Sequence, residues 1–123
     1  MLNGRINDEL QAWVSVEILD GAGGVHPVEV LLDTGFNGEL ALTSSVIRRL
    51  NLARGTPRFA ELATGDTTLL PSYTATILWD GLPRSIQVVE ADGERLLGME
   101  LLLGSRVTLD VTEGGPVTID ALP

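Results

Sequence analysis

Asp33 stands at the end of the strand-forming run Val28 to Leu32, which is apolar except for Glu29. It opens a turn of Thr34, Gly35, Phe36, Asn37 and Gly38. A carboxylate beside a hydrophobic strand is costly unless hydrogen bonds or a functional role compensate for it. The Thr34 hydroxyl can bond neighbouring backbone groups, and Gly35 allows another backbone to come close. Together these residues present a carboxyl group in a shaped, partly dry setting. The plainer alternative is a strand running into a turn, where Asp and Gly occur for conformational reasons alone.

Other chemistries fit the chain poorly. Serine-type catalysis needs a base beside its nucleophile. The one imidazole, His26, is wedged between Val25 and Pro27 next to a turn, where an exposed or incidentally packed side chain is the ordinary reading. An aspartyl-phosphate route through Asp33 would call for a Lys and a cluster of acids, but the chain has no Lys and no second acid beside Asp33. A glycosidase needs two carboxylates at a set separation. Asp66, Asp80, Asp92 and Asp110 each lie in a turn or on a polar strand face, as solvated acids do. Gly21, Gly23 and Gly24 suggest a dinucleotide loop, but His26 stands where the third glycine belongs, and a strand follows where a helix is required. With no Cys and one His, thiolate and multi-histidine zinc sites are excluded. No metal and no cofactor is expected.

A length of 123 residues predicts a single domain, 1–123, with its core over about 12–119. Aromatic residues are only 4%, so Leu, Val, Ile and Ala must fill the core. A net charge of −9 argues against nucleic acid, which needs a basic face. The amino end lacks a basic segment followed by an apolar core, and the run Leu96 to Leu103 is too short to cross a bilayer. The expectation is a cytoplasmic protein that engages no membrane.

Fourteen glycines and six prolines, scattered along the chain, predict many tight turns and short strands. Strands are expected over 12–19 and 25–32, around the turn at 20–24. A short strand at 39–42 and a brief helix at 43–50 follow, with Thr43 or Ser44 as cap and Asn51 as exit. Strands at 57–63 and 67–70 flank a two-residue turn, Gly65-Asp66. A further hairpin joins 73–79 to 83–89 through Asp80-Gly81. Another turn at 91–94 leads to Leu96-Leu97-Gly98 and one or two helical turns over 99–103. Strands at 107–111 and 117–119 close the chain. The fold class is mostly β, a small barrel or sandwich with one or two short helices.

Leu31-Leu32-Asp33-Thr34-Gly35 resembles the active-site motif of aspartic proteases, two apolar residues followed by Asp-Thr/Ser-Gly. The order of the remaining parts is similar to that of single-domain, retropepsin-like members of clan AA. There the motif is followed by a short strand, a flap hairpin, an apolar-apolar-Gly motif, a short helix and a last strand. These look like Glu39–Leu42, the hairpin at about 59–70, Leu96-Leu97-Gly98, Met99–Leu103 and Val107–Asp110. The resemblance spans nearly all of 12–119. Phe36 after the glycine resembles a prokaryotic group marked by Asp-Thr-Gly-Phe, and departs from the small residue of viral and pepsin-type enzymes.

The resemblance implies a closed acid-protease barrel and an aspartic endopeptidase. Its chemistry needs two carboxylates about 3 Å apart sharing one proton, because two like charges that close cannot both ionise. The chain has one Asp-Thr-Gly, so Asp33 must meet Asp33 of a second copy in a two-fold homodimer. Asp33, Thr34 and Gly35 are then the catalytic set, with Thr34 bonding across the axis. Phe36, Asn37 and the flap tip Thr64, Gly65 and Asp66 would touch a peptide or protein substrate, whose backbone adds as a strand. The alternative from another class is a non-catalytic dimeric module that binds peptides or proteins with the same fold.

Overall fold

The computed structural model describes residues 1–61 and 64–123, leaving the side chains at 58, 60 and 61 out of the description. Its elements run β1 (Leu2–Ile6), β2 (Ala12–Leu19), β3 (Val25–Leu32), β4 (Leu40–Leu42), α1 (Ser44–Leu50), β5 (Ala53–Arg54) and β6 (Arg58–Glu61). They continue with β7 (Thr67–Leu70), β8 (Ser72–Trp79), β9 (Leu82–Glu90), β10 (Leu96–Leu97), α2 (Met99–Leu102), β11 (Ser105–Leu109) and β12 (Pro116–Ala121).

The barrel follows from period-two patterning. In β2, Val14, Val16 and Ile18 point inward and are fully buried, while Glu17 between them is exposed. Val28 and Val30 of β3 face the same interior. Asp20 shapes the turn between these strands: its Oδ1 accepts the N–H groups of Ala22 and Gly24, each at 2.8 Å. The ring runs β2–β3–β10–β4–β9–β8 and closes where Glu17 pairs with Leu78 and Ile18 with Ile77. It is a closed six-stranded barrel. Closure removes sheet edges there, and β11, β12 and β1 extend the sheet from β2. Two pairings, β3 with β10 and β4 with β9, are parallel. β4 is buried at all three positions because it lies between β10 and β9 and under packed side chains.

Helix α1 buries Val46, Ile47 and Leu50, spaced to share one face. Thr43 stands at its N-cap without a side-chain cap bond, its hydroxyl lying 3.1 Å from that of Ser45. Asn51 ends the helix in the left-handed region, its N–H turned back to the carbonyls of Arg48 and Ile47. The turn at Asp80-Gly81 is two residues long, with φ of 55° and 78°. Those values match the mirror-image turn that Asp-Gly favours between twisted strands.

Two expectations are corrected, and two elements had not been anticipated. Leu2–Ile6, where no element was expected, is a strand between β12 and β2, and the Asn7 side chain closes the next turn by accepting Gln11 N–H at 2.8 Å. Its pattern was hard to read because Gly4 interrupts it; a Cβ there would overlap the Trp13 carbonyl. The β6–β7 hairpin does not have the register of a two-residue Gly65-Asp66 turn, which would pair Thr64 with Thr67, because Thr67 pairs with Glu61. Leu62 and Ala63 of the expected strand lie outside the described residues. The strand expected at 107–111 is shifted back to Ser105–Leu109, because Asp110 and Thr112 enter the turn that leads to Pro116. Finally, the two-residue β5 beside β8 was not anticipated.

Candidate active site

β3 delivers Asp33. The strand pairs in parallel with β10, Leu31 beside Leu96 and Leu32 beside Leu97. Backbone bonds continue that pairing: Leu31 N–H donates to Arg95 O at 2.8 Å, and Asp33 N–H donates to Leu97 O at 3.0 Å. The acid therefore sits where two central strands of the barrel end together. Its side chain is half-buried, while Thr34, Gly35 and Asn37 are exposed.

The turn is held by short-range bonds. Gly35 N–H donates to Asp33 Oδ1 at 2.9 Å, and Phe36 N–H donates to Asp33 O at 3.2 Å. A Cβ on Gly35 would lie 3.2 Å from that same Oδ1, so glycine keeps the carboxylate in place without crowding it. Among the described residues, the chain gives Asp33 Oδ2 and the Thr34 hydroxyl no hydrogen-bond partner. One carboxylate oxygen is anchored, and the other is available.

The same loop caps α2. Glu39 O accepts Gly98 N–H at 3.0 Å, Phe36 O accepts Met99 N–H at 2.8 Å, and Gly38 O accepts Glu100 N–H at 3.2 Å. These satisfy the first N–H groups of a short helix whose N-cap, Gly98, has no side chain to do so. The Glu39 carboxylate, 11% exposed, accepts Gln87 N–H of β9 at 3.0 Å and faces Arg84 Nη2 at 3.5 Å. Loop, helix and β9 are thereby bound into one unit.

With barrel and acid turn in view, the chain can be compared with known proteins. No protein-family model matches the sequence, and no curated protein does. Solved structures do. The chain is similar to a retropepsin-like aspartic protease from Rickettsia conorii, at a TM-score of 0.58 and 16% identity, covering 98% of this chain and 90% of that one. It is also similar to EIAV protease complexed with the inhibitor HBY-793, at a TM-score of 0.51 and 25% identity, covering 77% and 91%. The fold is retropepsin-like.

Within this retropepsin-like fold, Asp33, Thr34, Gly35, Phe36 and Asn37 form one continuous turn. Thr64, Gly65 and Asp66 lie at the end of the separate β6–β7 sheet. All three are exposed; the Thr64 hydroxyl donates to Asp66 Oδ2 at 3.2 Å, and Gly65 has φ 88°. Among the described residues no hydrogen bond ties this tip to the Asp33 turn. A cleft of about 500 Å³ lined by Asp20, Gly21, Asn51, Ala53, Thr74 and Ser85 shares no residue with that turn. Sequence reasoning missed Gly38, Glu39 and Gly98 as supports of the turn. The available signal was a second glycine two positions after Phe36 and a third closing Leu96-Leu97-Gly98.

His26 has a structural contact. Its Nε2 lies 2.6 Å from Asp20 Oδ2. The His26 contact, followed by the Gly24 and Ala22 N–H groups, holds the Asp20 carboxyl below the usual carboxylate range. No helix of the described residues is long and apolar enough to cross a membrane.

Proposed function

We propose that the chain, acting as one domain over 1–123 in the cytoplasm, is half of a homodimeric aspartic endopeptidase in which Asp33 of two copies forms the acid–base pair. The observation that carries the reading is the one-sided Asp33 turn. Its Oδ1 is fixed by Gly35, its Oδ2 has no partner among the described residues, and Thr34 and Gly35 are exposed beside it. A second copy placed on a two-fold axis would meet that surface with the same groups.

In the pair one carboxylate is ionised and the other holds the shared proton. The ionised member takes a proton from a water held between them, and the water oxygen attacks the scissile carbonyl carbon. The protonated member gives its proton to the carbonyl oxygen, forming a neutral gem-diol. Collapse of the diol breaks the C–N bond: the leaving nitrogen takes up the proton gained from water, and one diol hydroxyl returns its proton to the carboxylate that had given one up. Thr34 holds the two turns together across the axis. The 59–70 hairpin closes over an extended peptide, with Asn37, Thr64, Gly65 and Asp66 placed to meet its backbone.

The test compares wild type with Asp33→Asn on a mixed peptide library at acidic pH, with a statine inhibitor as control. Statine-sensitive cleavage by wild type that falls at least about a thousandfold in the variant supports the reading. Equal cleavage by both, or none by either, overturns it and leaves a dimeric peptide-binding module.

A further inference from the structure

Phe36 is the one large apolar side chain between Leu32 and Leu40. Its surroundings are unusual. A Cβ at Gly38 would lie 2.5 Å from Phe36 Cζ and 2.8 Å from Cε1, so that glycine leaves room for the ring and for nothing larger than hydrogen. A Cβ at Gly98 would lie 2.6 Å from Phe36 Cδ2 and would overlap the Gly38 carbonyl oxygen. The ring thus rests on the α-carbons of two glycines, one in its own loop and one at the N-cap of α2.

Backbone conformation does not explain these glycines. Gly98 has φ −104°, and Gly38 is not among the residues with positive φ. Any residue adopts such angles; what the positions require is space. Glycine at both places lets the ring lie flat against backbone that carries the bonds from Phe36 O and Gly38 O to the first N–H groups of α2. Gly35 bonds Asp33 Oδ1 within the turn, but among the described residues neither it nor the exposed Thr34 and Asn37 ties the turn to α2.

We infer that Phe36 is a positioning residue: its ring, keyed between Gly38 and Gly98, locks the Asp33 turn to the start of α2 and so sets the direction of the Asp33 carboxyl. The catalytic consequence rests on the aspartic-peptidase reading; the lock itself does not. The ring is a brace under the acid and not a wall of the substrate groove. Direction matters because a reacting group misplaced by about 1 Å can cost about a hundredfold in rate.

The experiment is a size exchange. Gly38→Ala puts a methyl against Phe36 Cζ, the atom that Phe36→Leu removes. Amide hydrogen exchange is read at Asp33 and Met99, alongside kcat and KM on a peptide that wild type cleaves. Gly38→Ala should speed exchange at both amides about tenfold or more and lower kcat at least about tenfold with KM little changed. The double variant Gly38→Ala/Phe36→Leu should return exchange and kcat to within about threefold of Phe36→Leu alone.

Should Gly38→Ala not fold, recovery of folding in the double variant is the same rescue. Wild-type exchange in Gly38→Ala, or a double variant no better than Gly38→Ala, overturns the lock. So does a Phe36→Leu variant with unchanged kcat, raised KM and altered residue preference, which would mark a groove wall. If wild type cleaves no peptide, the peptidase reading fails, and the exchange measurements still decide the lock.

Discussion

The backbone N–H of Asp33 donates to the carbonyl oxygen of Leu97 at 3.0 Å, joining the end of one central strand to the residue before Gly98 on another. Leu97 is fully buried, so the acid is tied to the core of the barrel. A half-exposed carboxylate gains a fixed position from its neighbour's burial.

Leu97→Ala should therefore cost both stability and order at the site. Removing a fully buried leucine side chain costs about 2–5 kcal/mol, and the cavity would lie directly behind the Asp33 turn. Urea unfolding at pH 7 measures the loss. Hydrogen exchange at Asp33 should rise by more than at Val30, which shares the core but not that bond.

Gly98→Ala tests a contact that no side-chain change can relieve. The added Cβ would overlap the Gly38 carbonyl oxygen and lie 2.7 Å from Phe36 O, both backbone atoms. A destabilisation of about 1–3 kcal/mol is expected in denaturant unfolding. Adding Phe36→Leu should recover little of it, in contrast with the rescue expected at Gly38.

The paired-acid reading makes activity and assembly respond to solution conditions in a defined direction. Each copy carries −9, so two together carry −18 (2 × −9). That repulsion is largest at low salt and neutral pH. Sedimentation should show tighter self-association as salt rises, and cleavage should increase as pH falls from 7 toward about 4–5, where the pair shares one proton. A profile that is flat or climbs toward alkaline pH contradicts the mechanism.

Asp20 gives a separate pH dependence, remote from catalysis. Its folded-state pKa is depressed, chiefly by His26 and then by the Gly24 and Ala22 N–H groups. A depressed carboxyl stabilises the fold above its unfolded pKa, near the ordinary 3.8, and that contribution disappears as pH falls through the lower folded value. Asp20→Asn should lower the urea midpoint at pH 7, and the gap to wild type should close as pH falls below 3.8 and through the lower folded value. A gap of equal size at pH 7 and at low pH would show that the carboxyl's charge contributes nothing.

Legibility varied along the chain with the range of the interactions involved. The strands at 12–19 and 25–32 were readable to the residue, because alternating Val and Ile and the Asp20 turn specify them locally. The Asp80-Gly81 turn was readable for the same reason. β1 was missed because Gly4 breaks its alternation, and its place depends on the distant β12 and β2. The turn at Gly65-Asp66 was misread because those two residues make an adequate turn on their own, while the pairing of Phe59 with Leu69 sets a different register. Of the site, the order Leu-Leu-Asp-Thr-Gly was visible. The supports at Gly38, Glu39 and Gly98 were not, since they act between segments far apart in the chain, as in Gly98 N–H to Glu39 O and Gln87 N–H to the Glu39 carboxylate, 48 residues away.

By itself the sequence determined most of the element types and the turns at Asp20 and Asp80-Gly81, and it singled out Asp33 as the candidate acid, because each depends on residues within a few positions of one another. Tertiary structure decided three further things. Pairing of β2 with β8 closed the sheet into a barrel, and parallel pairing of β3 with β10 brought Asp33 beside Leu97. The third was the place of Phe36, whose ring fits only where two glycines from separate segments face each other. Those outcomes depend on packing at near-crystalline density between distant segments, where a single methyl group is enough to exclude the neighbour.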